Sequence, residues 1–325
     1  MIFNPNQTQF QNEYQQEVWR LGIHVVPPEI SLADIDDPKI KAGCMEMYDC
    51  TMELLTDMYE TPDKYDCVRP LDHVLFSFEW MTGKRKFPAS IRRTKGLFEK
   101  ILNNLYPFGF QYDGNSVTNR RFPEFMKYWT ILHEKVNPAF CDFRALKQQY
   151  KPSQSYTRED LLRPLGDQNR KCAGELYDYA LSIGAKRMPH NQYRPYCLAH
   201  QKQHILVFRN EYGLTASVPY KNQYTSADTL HELQRFMMIA EQQPDLKELI
   251  AYIRNNIMLC GHCTTTNCGI LIADLAGVQC QIAECRPEIC KNHEPSMFYQ
   301  YTEYDVAMMK RLMDVRLLQI QSSEQ

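Results

Sequence analysis

Ile40, Cys44, Met47, Thr51, Leu54 and Met58 follow one another at intervals of three or four residues. That is the recurrence of a helix with one apolar face, and it predicts a helix over 40–59 that Pro62 ends. Ahead of it, 1–38 is polar and rich in proline and aspartate, which reads as an extended arm with one short helix at 11–20. Leu97, Ile101 and Leu105 predict a further helix over 94–106. The run 106–114, YPFGFQYDG, then reads as a turn, a short strand and a second turn. Phe122-Pro123 opens another helix to about 134, with proline in the first turn where it is tolerated. Val74–Phe78 is a short apolar run that fits a strand or a buried helical turn equally.

The second half has a clearer pattern. Leu176, Tyr179, Ala180 and Ile183 share one face of a predicted helix over 170–183, and Gly184 is its stop. Three apolar runs, 193–200, 204–209 and 214–220, are joined by very short polar turns and so predict an antiparallel meander. Thr225 to Asp228 reads as a capping box opening a helix to about 241, before Pro244, and a second helix spans 246–258. Runs at 269–273 and 278–282 form a hairpin around Asp274–Gly277. Thr302-x-x-Asp305 caps a last helix whose apolar face is Val306, Met309, Met313, Leu317 and Ile320.

These elements define an α+β protein. A mainly helical N-terminal domain at 1–150 is followed by an α+β domain at 151–325, in which an antiparallel sheet is flanked by helices. Lys151-Pro-Ser-Gln-Ser155 is the linker candidate. A length of 325 residues fits two domains, and twenty tyrosines with fifteen phenylalanines supply ample core.

The formal net charge of −2 gives no overall attraction to nucleic acid or to a membrane surface. The N-terminus lacks the basic start and apolar run of a secretory signal, and no stretch is long and apolar enough to span a bilayer. The expected location is the cytoplasm, where thiols stay reduced.

That expectation gives the cysteines their meaning. Six of the twelve lie between Cys260 and Cys290. Cys260-Gly-His262-Cys263 is a two-residue knuckle with Cys268 close behind it, and Cys280, Cys285 and Cys290 follow past the hairpin. Zinc requires four soft or borderline ligands in a tetrahedron, and paired turns present them at little conformational cost. Strand alternation puts Val278, Cys280 and Ile282 on one face, so Cys280 reads as a core residue. Cys285, just past the strand, completes the set Cys260, Cys263, Cys268 and Cys285, with Cys290, His262 or His293 as substitutes. A cysteine-rich, metal-stabilised module at 259–295 results. Four thiolates also suit an iron–sulfur cluster, but zinc is preferred. A closed site of four cysteines has no open position for substrate and is structural.

No GxxxxGK[ST], GxGxxG, GxSxG or HExxH motif occurs. Residues 84–100 carry seven basic side chains against one acidic. They read as a solvated face, with a phosphate or nucleic-acid contact as the sharper alternative. Cys141-Asp-Phe-Arg144 reads as a buried cysteine on a short strand, with a nucleophile beside a charged partner as the alternative. Tyr193-Arg-Pro-Tyr196 and His204 read as sheet packing, with a ligand cleft as the alternative. The functional expectation is a non-catalytic binding or regulatory protein with a structural zinc. The alternatives are an enzyme with a cleft between the halves and a nucleic-acid-associated factor using the basic segment. A small molecule or a protein is the expected partner, in preference to nucleic acid.

Overall fold

The computed structural model describes residues 3–25, 37–65, 70, 96–112, 117–125, 127, 157–188, 196–209, 214–221, 228–257, 270–283, 287–290 and 300–322. The chain divides into two units, Met1–Ser153 and Gln154–Gln325. Helices and antiparallel sheets are both present, so the architecture is mixed α+β.

In the first unit, α1 (Glu13–Gly22) packs on α2 (Pro38–Glu60). Asp37 is the N-cap of α2, accepting from the backbone N–H groups of Lys39 and Ile40, and Pro38 occupies the first turn. The buried face of α2 runs through Cys44, Met47, Thr51, Leu54 and Met58, as the periodicity requires, while Ile40 at its start is only half-buried. Trp19 of α1 is buried, and its indole N–H donates to the Asn4 carbonyl at 2.8 Å. Gln15 donates to the Tyr59 carbonyl at 3.0 Å, tying α1 to the end of α2. Burial pushes the Cys50 thiol far above its ordinary range, with the nearby carboxylates of Glu53, Asp49 and Glu46 adding to the effect, so it behaves as an inert core residue.

Helix α3 (Pro62–Tyr65) begins directly after α2. Lys64 pairs with Asp57 at 2.6 Å, and the buried Tyr65 hydroxyl also donates to Asp57. Partial burial pushes the Asp57 carboxyl up, but the donors on Lys64 and Tyr65 outweigh it and hold the group below its usual 3.8. A depressed carboxylate stabilises the fold above its unfolded pKa and ceases to do so as pH falls through its folded one. The first unit is therefore expected to lose stability below about pH 4. Asp57→Asn should flatten that acid limb in tryptophan-monitored urea titrations, and an unchanged limb would reject the assignment.

Helix α4 (Leu97–Leu105) leads through a 3-10 turn at Tyr106–Phe108 into β1 (Phe110–Tyr112), which pairs with β2 (Val117–Asn119). Gly109, at φ +87°, makes the turn; a β-carbon there would meet Asn119 Oδ1 at 2.6 Å. Residues 123–125 and 127 are helical. Their first turn is capped by Glu46 Oε2, which accepts from the N–H groups of Glu124 and Phe125 at 2.6 and 2.9 Å. The expected continuation to 134, the run 74–78, the linker at 151–155 and Cys141–Arg144 lie outside the described residues.

In the second unit, α5 (Arg158–Leu162) opens on a capping box between Thr157 and Asp160, and α6 (Asp167–Ser182) follows. Gly184, at φ +88°, stops α6 as expected. The N–H of Ala185 bonds the Ala180 carbonyl and the N–H of Gly184 that of Leu181.

The sheet has five antiparallel strands in the order β3 (Lys186–Arg187), β4 (Tyr196–His200), β5 (Gln203–Arg209), β6 (Thr215–Pro219) and β9 (Glu288–Cys290). The turn between β4 and β5 has only two residues. Gln201 and Lys202 both take positive φ, 48° and 67°, the backbone that matches the strand twist in so tight a hairpin. The meander thus stands as read, while the flanking β3 and β9 were not anticipated. Strands of two and three residues carry too few alternations to register as a pattern.

Three more helices join the core of this sheet: α7 (Thr229–Ala240), α8 (Leu246–Asn256) and α9 (Glu303–Gln321), with α9 packed on β5 and β6, α8 on β9, and α7 on α9. The N-cap of α7 is Asp228, which accepts from the His231 N–H; Thr225 lies outside the described residues. Helix α9 carries the expected Thr302–Asp305 capping box. It is buried on more sides than its predicted stripe, since Met308, Leu312, Val315, Arg316 and Gln319 are buried as well. Between α8 and β9, β7 (Ile270–Asp274) and β8 (Gln279–Ala283) form a separate hairpin. Ile282 is fully buried and Cys280 half-buried, but Val278 precedes the strand and is 44 % exposed. The alternation therefore holds only from Gln279 onward. Among the described residues, no helix is long and apolar enough to cross a membrane.

Candidate metal centre and the polar sheet face

Cys260, Cys263, Cys268 and Cys285 lie outside the described residues, as do His262 and His293. The described residues frame the segment that carries them. Helix α8 ends at Asn256, and Ile257, in extended conformation, makes an antiparallel bridge to Ile289 in the middle of β9. The chain entering the cysteine-rich segment and the chain leaving it are thus paired at one sheet edge. Between those ends, the β7–β8 ladder runs in unbroken register from Asp274↔Gln279 back to Ile270↔Ala283.

The hairpin is anchored at its tip. Arg254 of α8 donates from Nε to the Leu275 carbonyl at 2.8 Å and from Nη2 to the carbonyls of Leu275 and Ala276. Ala273, Leu275 and Ile282 enter the same core as the sheet and its helices. Asp274 Oδ1 accepts from the Gly277 N–H at 2.7 Å and closes the turn.

Cys290 is fully buried in β9, opposite Ser217 of β6. It belongs to a polar sheet face that the sequence reading did not single out. On β6, Ala216 and Val218 point into the helix-covered core. By alternation Thr215 and Ser217 share the other face with Glu288 and Cys290. All four are buried. Ser217 donates to Glu288 Oε2 at 2.9 Å, joining β6 to β9 by side chains as well as by backbone. The Thr215 hydroxyl is buried without a hydrogen-bond partner among the described residues. A buried carboxylate is costly unless it is hydrogen-bonded, and the Ser217 hydroxyl supplies such a bond. A carboxylate is a far weaker base than the imidazole that commonly activates serine, so this pair is an orienting contact. Two small polar residues alternating with apolar ones on a strand look like any solvated face, which is why the sequence hid this one.

Tyr301 crosses the other side of β6. Its hydroxyl accepts from the Ala216 N–H at 2.9 Å, and its own N–H donates to Asn169 Oδ1 at 2.9 Å. Complete burial pushes the phenol well above its ordinary range, so it stays neutral. The Cys172 thiol donates to the Tyr301 carbonyl at 3.3 Å.

Of the other candidates, Tyr196 and His204 are both buried, and Tyr196 joins the main core. Residues 193–195 and the basic positions 84–95 lie outside the described residues. Among the described residues, no group of three or more His, Cys, Asp or Glu side chains could hold a metal ion. No family model, curated protein or solved structure matches the chain.

Proposed function

We propose that the protein is a non-catalytic binding or regulatory protein of the cytoplasm, built around a structural zinc held by Cys260, Cys263, Cys268 and Cys285. The observation that carries the zinc reading is the register of β7 and β8. That register ends at the pair Ile270↔Ala283, and each of these two residues lies two positions along the chain from a proposed ligand, Cys268 and Cys285. The two arms that carry these cysteines leave the ladder from paired residues, whose β-carbons are about 4.5–5.5 Å apart. Two thiolates on one zinc, each about 2.3 Å from the ion, fit that spacing.

The bridge Ile257↔Ile289 supports the remaining pair. Cys260 follows Ile257 by three residues, within a chain reach of about 10 Å. The Cys260–Cys263 knuckle therefore starts from the same edge to which the chain returns after Cys285. Metal binding couples to folding, so the ion would stabilise the segment that carries the four cysteines. The same four thiolates accommodate an iron–sulfur cluster, which would announce itself by colour.

Protein purified without added metal is expected to contain about one zinc per chain, the stoichiometry of a single closed site. Elemental analysis with thiol titration checks it. Zinc and iron both at background, with every cysteine titratable, would overturn the reading. A brown protein with visible absorption would replace zinc by iron and sulfide on the same ligands.

A further inference from the structure

We propose that Arg163 is the anchor of an oxyanion site on the second unit, taking the carboxylate or phosphate group of a small ligand on its guanidinium near Tyr196. This deepens the binding reading by naming a ligand class, and it does not depend on zinc.

Arg163 is the C-cap residue of α5, immediately before Pro164. Its Nε is fully buried and has no hydrogen-bond partner among the described residues. No ion pair or side-chain hydrogen bond from this residue exists among the described residues. Other arginines of the unit differ. Arg158 binds Asp178 through two nitrogens, Arg235 pairs with Glu232, Arg254 caps a turn and Arg316 has four acceptors. Arg163 as a whole is half-buried, but an unmade bond to a buried charged donor such as its Nε is costly.

The nearby acids do not fill the gap. Glu159 and Asp160 lie within electrostatic range without bonding the guanidinium, and Asp160 is engaged in its capping box with Thr157. Burial holds the Arg163 guanidinium below its ordinary value, and those acids with Tyr196 offset the loss only in part. A second cation reinforces the first. Arg170 Nη2 donates to the carbonyls of Arg163 and Leu165 at 3.3 and 3.0 Å, fixing the turn that presents Arg163. Opposing them, Asp167 supplies one negative charge in the first turn of α6. A planar guanidinium without an acceptor among the described residues matches a two-oxygen anion, which it binds through parallel N–H donors.

The test uses the full chain in sodium phosphate, sodium acetate and sodium chloride at equal ionic strength, following thermal unfolding by circular dichroism. Phosphate or acetate at a hundredfold excess over its Kd is expected to raise the transition by roughly 5–10 °C relative to chloride. Which of the two acts identifies the ligand's acid group. Arg163→Gln should lose the shift. Arg163→Lys, which keeps the charge but not the planar fork, should show a reduced shift and serves if the glutamine variant folds poorly. Equal shifts in wild type and Arg163→Gln would mean a general salt effect only and overturn the site, as would no shift with either anion. Zinc content measured on the same samples separates the two readings. An anion shift in zinc-free protein leaves this site standing while the metal reading fails. Full zinc with no anion shift does the reverse.

Discussion

Arg316→Ala is expected to cost the second unit about 3–5 kcal/mol, the loss typical of breaking a buried charged network. Arg316 is 1 % exposed in the middle of α9. Its Nε donates to the His204 carbonyl at 3.2 Å, Nη1 to the Tyr220 carbonyl at 3.3 Å and to Gln319 Oε1 at 2.7 Å, and Nη2 to Gln203 Oε1 at 3.1 Å. One side chain thus ties the last helix to the β4–β5 hairpin and to the end of β6. Gln319, itself fully buried, extends the network by donating to the Tyr220 carbonyl at 3.0 Å and to Glu232 Oε2 at 3.0 Å. Burial lowers the Arg316 guanidinium to about 10, so it is still charged at neutral pH. Alanine leaves its acceptors buried and adds a cavity. Arg316→Met restores volume without donors and should recover only the packing part. Hydrogen exchange at the amides of β5 and β6 is the suitable measurement. All three tryptophans, at positions 19, 80 and 129, lie in the first unit, so their fluorescence provides an internal control. A loss under about 1 kcal/mol, the worth of one ordinary hydrogen bond, would show that the network adds nothing to packing.

Cys263→Ser is expected to have the other large effect. Binding of a structural zinc contributes on the order of 10–16 kcal/mol in small zinc-finger peptides. A ligand lost from the set should release the ion and melt the segment between α8 and β9. Cys280→Ala is the matched control. That thiol is half-buried in β8 against the core, and its removal deletes one sulfur's worth of packing, about 1 kcal/mol. Melts with and without chelator should move for wild type and Cys280→Ala and stay fixed for Cys263→Ser. Equal destabilisation by the two substitutions would mean that the ligand set is wrong.

What the sequence disclosed depended on the length of each pattern. The stripe from Cys44 to Met58 spans several turns, and the Thr302–Asp305 box is a local chemical signal; both translate directly into α2 and the start of α9. The meander was legible because its strands are apolar and its turns short. Strand β9 was not, since three residues reading Glu-Ile-Cys show no periodicity, and only the partner β6 makes them a strand. Arg316 and Gln319 looked like the solvated side of an amphipathic helix. They are buried because the carbonyl ends of two other elements converge on them, a fact of tertiary structure invisible in the local sequence. Arg163 was hidden for the same reason. The metal ligands were proposed from spacing alone, and the hairpin register bears on them only through the residues that flank them.

The order of the strands has a consequence for synthesis. Strands β3 to β6 leave the ribosome with one edge, on β6, that awaits Glu288–Cys290, about seventy residues later in the chain. The helix that covers their apolar face with Met309, Leu312 and Met313 arrives later still. For several seconds at ordinary elongation rates the nascent meander therefore presents an open strand edge and a hydrophobic face that still lacks its last helix. Both are templates for aggregation. The vulnerable period ends only when the last helix has emerged, so a chain truncated before residue 303 has no way to close it.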